Sequence, residues 1–93
     1  MDKQVSNSEI MLKKYFEIYI HNYAELESKM VQIFDDESKA FDLFYHLKFL
    51  SQSKLDIGIE LIETEYENDS DALPVRSKTL DLFKGPTKKG IPT

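Results

Sequence analysis

The sequence predicts an all-α fold: an antiparallel helical hairpin with a short third C-terminal helix, which a second copy completes into a four-helix-type bundle. Three observations point there. Residues 1–57 contain neither glycine nor proline, the two strongest interrupters of a helix. Apolar residues recur at helical spacing through most of that stretch. The 93 residues, 41% hydrophobic and 31% charged, suit one small globular domain whose own core is thin enough to welcome a partner.

The first helix is expected from Glu9 to about Phe34. Ser6-Asn7-Ser8-Glu9 has the form of a capping box, in which the Ser6 hydroxyl and the Glu9 carboxylate satisfy orphan amide donors. Leu12, Phe16, Tyr19, Tyr23, Leu26, Met30 and Ile33 then follow at alternating spacings of four and three, the a/d pattern of a packed helical seam. Polar Lys14, His21, Ser28 and Asp35 lie opposite that seam.

Asp35-Asp36-Glu37-Ser38 suits the start of a second helix, where carboxylates meet the positive end of the macrodipole. Its apolar face would carry Ala40, Phe44, Leu47, Leu55, Ile62 and Tyr66, with small Ser51 and Gly58 admitting a close backbone. Two alternatives stay open. Ser51-Gln52-Ser53 ahead of Asp56 can cap a separate helix and split the run near residue 52. Residues 54–62 fit a strand as well as a helix, because Leu55, Ile57, Ile59 and Leu61 fall on alternate positions. Pro74 ends any continuing helix. Ser77 can cap the short third helix, with Leu80, Leu82 and Phe83 inside it and Gly85-Pro86 as its stop. Residues 1–85 thus read as one helical domain and 86–93 as a flexible basic tail.

Composition narrows the function classes. With no cysteine, disulfides, thiol nucleophiles and cysteine-based zinc sites are excluded. Twelve Lys and Arg against 17 Asp and Glu give a net charge of −5, which disfavours nucleic acid and anionic lipid. The Met1–Val5 start does not lead from basic residues into an apolar run, so a cytoplasmic address is expected. Ile10 to Ile20 is too short, and too interrupted by Lys13, Lys14 and Glu17, to span a membrane.

Catalytic chemistry finds little purchase. His21 and His46 are the only histidines, and on a hairpin His21 would point away from the second helix, far from any base–nucleophile partner. The alternating acids Glu63, Glu65, Glu67, Asp69 and Asp71 do not make a calcium loop: counted from Glu67, the required Gly and Glu positions hold Ala72 and Lys78. No catalytic, metal or cofactor site is therefore expected. Nine of the eleven aromatics lie between Tyr15 and Phe49, more than one hairpin can hide. The expected function is a non-enzymatic protein–protein interaction module, regulatory in kind: an adaptor, chaperone, inhibitor or assembly factor. Its surface would be Tyr15, Ile18, Tyr19 and Tyr23 of the first helix with Phe41, Phe44 and Tyr45 of the second. The partner would be another protein or a second copy in a homodimer. An acidic decoy for a nucleic-acid-binding protein is the alternative, resting on the acids at 60–71.

Overall fold

Alternation, rather than the heptad, governs the first described residues. Phe16, Ile18 and Ile20 point to one side of an extended chain while Tyr15, Glu17, Tyr19 and His21 point to the other. Aromatic and β-branched side chains on both sides favour the pleated conformation. In a computed structural model of the chain, residues 12–67 and 73–87 are described, and they form one four-stranded antiparallel sheet with one helix. The all-α hairpin and the bundle built on it are overturned.

The span expected as the first helix is a β-hairpin: β1 (Leu12–Asn22) and β2 (Glu27–Phe34), paired antiparallel with a bulge between Ile18 and Tyr19. Its turn needs neither glycine nor proline. The Asn22 side-chain oxygen accepts the Glu25 backbone N–H at 3.1 Å, and Leu26 takes the left-handed conformation at φ 56°. Leu26 lies in this turn and Met30 on the edge strand, so the expected a/d seam does not exist. The capping box at Ser6–Glu9 lies outside the described residues.

The only long helix among the described residues is α1 (Glu37–Leu50). Asp36 caps it, accepting from the Ser38 and Lys39 backbone N–H groups at 2.8 and 3.2 Å, as the acids there anticipate. Ser51 closes it by donating its N–H to the Leu47 and Lys48 carbonyls. The chain then turns through Asp56, at φ 60°, into β3 (Ile57–Glu67), so the second helix does not run on through Ile62 and Tyr66 as expected, and the strand alternative for residues 54–62 holds from Ile57 onward. The expected third helix is also a strand, β4 (Arg76–Lys84), with a bulge opposite Leu61/Ile62. Of the expected 86–93 tail, residues 88–93 lie outside the described residues.

The sheet order is β2-β1-β3-β4, so the two hairpins meet through β1 and β3 at the centre. α1 lies on one face. Phe16, Ile18, Ala40, Phe44, Ile59 and Leu61 form the buried core, flanked by Ile20, Phe34, Leu47, Leu80 and Phe83. A 14-residue helix is only about 21 Å long, so it shields one face and leaves the other bare. No described helix is long and apolar enough to cross a membrane.

Candidate functional site on the bare sheet face

Cross-strand register decides which side chains share the face that α1 does not cover. β1 contributes Tyr15, Glu17, Tyr19 and His21, with Tyr23 just beyond its end. Opposite them, β2 places Ile33, Met30 and Ser28, and β3 places Thr64, Ile62, Glu60 and Gly58. β4 adds Ser77, Thr79, Leu82 and Lys84. The result is a tyrosine-rich surface with two acids embedded in it.

Glu17 is one of them, and only 7% exposed. It owes this burial to neighbours on its own face. The hydroxyls of Tyr19, Tyr66 and Thr64 donate to its oxygens at 3.0, 3.3 and 3.5 Å, drawing both rings over it. Burial raises the pKa of Tyr19 above its usual 10.0, and the hydrogen bond to Glu17 and its charge add to the shift. Burial raises Tyr66 too, again with Glu17 contributing, and raises Tyr23, there with help from Glu60. All three therefore hold their protons to higher pH than an exposed tyrosine, which keeps Tyr19 and Tyr66 as donors to Glu17.

Glu60, the second acid, anchors a polar chain that crosses every strand. Thr79 Oγ1 donates to Glu60 Oε2 at 2.5 Å. Glu60 Oε1 lies 2.8 Å from His21 Nε2, and His21 Nδ1 lies 2.6 Å from Ser28 Oγ. A carboxylate only accepts, so the neutral imidazole carries its proton on Nε2 and offers Nδ1 as the acceptor for Ser28. The imidazole stands between the Tyr19 and Tyr23 rings, with centroids 6.4 and 6.0 Å away and planes 8° and 20° apart. Lys84 Nζ caps the Tyr23 ring at 5.6 Å.

The expected interaction residues are divided by this arrangement. Tyr15, Tyr19 and Tyr23 do come together, on a sheet face instead of a helix. Ile18 and Phe44 are fully buried core and present nothing to a partner. Phe41 is half-buried against the core, and Tyr45 is exposed on α1 on the other side of the molecule. Glu17, Glu60, Ser28 and Tyr66 were missed. A period of two from Tyr15 to Tyr23 was the signal for the β1 residues; no local signal marks Glu60, 39 residues from His21. His46 is exposed on α1 and takes no part.

On the helix side, a shallow groove of about 300 Å³ opens past α1, lined by Ile20, Asn22, Glu27, Lys29, Val31 and Ile57. Among the described residues, no three His, Asp or Glu side chains are grouped to hold a metal ion. Comparison with family models, with curated proteins and with solved structures finds no match.

Proposed function

We propose that this chain is a non-enzymatic protein-interaction module that works through its bare sheet face, with a second copy of the chain as the occupant. The observation that carries this reading is the face itself. Tyr15, Tyr19, Tyr23, Tyr66, Met30, Ile33, Ile62 and Leu82 line it, and no described element lies over it. A sheet that buries one face on a helix gains most by burying the other on another layer. Four strands about 4.8 Å apart and some eight residues long present roughly 500 Å², so two copies bury about 1,000 Å². That area meets the lower bound of a specific interface, which makes the dimer weak and concentration-dependent. Tyrosine suits such a face, offering apolar area with a polar tip.

The decoy alternative draws no comparable support. Of its acids, Glu63 and Glu65 are bound by Lys14 at 3.5 and 3.8 Å, and Glu65 also by Arg76 at 3.3 Å. Neutralised carboxylates make poor phosphate mimics.

Light scattering and sedimentation equilibrium on the purified chain test the reading. A mass rising from one copy to two between micromolar and millimolar protein supports it. Met30→Glu with Leu82→Glu, two half-exposed sites on the bare face, should hold the chain monomeric with unchanged circular dichroism. Phe49→Glu on α1, 69% exposed, should leave the dimer intact. A wild-type mass of one copy throughout would sink the proposal.

A further inference from the structure

Beyond any docking role, we infer that Ser28 is an activated oxygen nucleophile, and that it accepts acyl groups from activated donors such as thioesters and aryl esters. The geometry is that of a nucleophile, a base and a positioning group. Ser28 Oγ and His21 Nδ1 are 2.6 Å apart, within the 2.6–3.2 Å reach of general-base catalysis. Glu60, 2.8 Å from Nε2, selects the tautomer whose Nδ1 lone pair faces Ser28. Thr79 holds the other oxygen of Glu60, and the Tyr19 and Tyr23 rings hold the imidazole from both sides. The base is partly shielded, since His21 and Glu60 side chains are each 19% exposed, while Ser28 itself is open to solvent. In the unpaired chain an electrophile can therefore reach the hydroxyl without moving the groups that activate it.

In the reaction, Ser28 Oγ attacks the donor's carbonyl carbon and its proton passes to His21 Nδ1. The imidazolium so formed lies against the Glu60 carboxylate. The carbon–sulfur or carbon–oxygen bond of the donor then breaks, and the departing thiolate or phenolate takes the proton back from His21. Ser28 is left as an ester. Ser28 lies on β2, an edge strand of the sheet, where a donor can approach it from the open side. The product is a modification site, one acyl group per chain.

The test is acetylation by p-nitrophenyl acetate at neutral pH, followed residue by residue by peptide mass spectrometry. Ser77, exposed on the same face but with no histidine beside it, is the internal standard. Ser28 should acetylate about 10²-fold faster than Ser77, the low end of what a positioned base supplies. His21→Gln should bring Ser28 down to the rate of Ser77, and Glu60→Gln should leave it between the two. Long-range proton–nitrogen NMR should find His21 Nε2 protonated and Nδ1 bare. Equal rates at Ser28 and Ser77 in the unaltered chain would overturn the inference, whether or not either variant folds. So would a fast Ser28 in a folded His21→Gln chain, or an Nδ1 proton.

Discussion

At the scale of single residues, the tyrosines around Glu17 and Glu60 make the fold sensitive to alkali. Tyr19, Tyr23 and Tyr66 have folded pKa values raised above 10.0, chiefly by burial. A group that holds its proton more tightly when folded stabilises the fold fully below its unfolded pKa, and loses that contribution as pH rises through the folded value. Stability should therefore fall above pH 10, in step with the absorbance of these phenols. In Glu17→Gln, Tyr19 and Tyr66 should ionise at lower pH than in the wild type, while burial still keeps them above 10.0. Unchanged titration curves in that variant would show that Glu17 exerts no hold on them. The glycines offer a second contrast. A methyl at Gly85 would sit 3.0 Å from the Ile57 and Lys54 carbonyl oxygens, fixed backbone that cannot retreat. A methyl at Gly58 meets first the Tyr23 hydroxyl and then its ring at 2.9 Å, and this side-chain end can shift aside at the expense of its stack on His21. Urea denaturation should show Gly85→Ala costing about 1–3 kcal/mol and Gly58→Ala less than about 1 kcal/mol.

At the scale of elements, α1 was legible and the first hairpin was not. The α1 signal is chemical and local: Asp36 at the cap, Glu37 in the first turn, Lys48 in the last, and Ala40 and Phe44 one turn apart toward the core. Asp36→Ala should cost about 1 kcal/mol, and Phe44→Ala, at a position with no exposure, about 3–5 kcal/mol. Thermal unfolding would rank them, and a reversed order would contradict the roles of Asp36 as cap and Phe44 as core. In β1, by contrast, both faces are apolar or aromatic. Such a run satisfies spacings of three and four as readily as a spacing of two, so periodicity alone cannot choose. The turn that should have broken the tie hides its nature, because Asn22 and Leu26 do what glycine usually does. In β4 the serine that resembles a helix cap, Ser77, is simply the partner of Thr64 across the ladder.

At the scale of the whole molecule, the layering sets both proposals. One helix covers one face, so the aromatic excess is displaced to the other, the face on which a second copy is proposed to dock. The same layering explains why a Glu at Ile18 is no test of an interface. Ile18 is fully buried beneath α1, and a charge there would unfold the chain rather than free a surface. The charged ends of the sheet are matched rather than bare, with Lys14 lying between Glu63 and Glu65 and Arg76 beside Glu65. These exposed cations contribute little stability individually, but they tie β1 and β4 to β3 along its acidic stretch.

Local order alone determined the cap at Asp36 and the gathering of aromatics before residue 50, and it left open both a break near residue 52 and a strand over residues 54–62. Each of these depends on neighbours a few positions apart. Only the tertiary structure decided that Tyr15, Tyr19 and Tyr23 share a bare face with Tyr66, or that Ser28, His21, Glu60 and Thr79 meet in one line. Those encounters are set by strand register, and register is fixed by pairings between segments tens of residues apart, for which no short spacing in the chain stands as a sign.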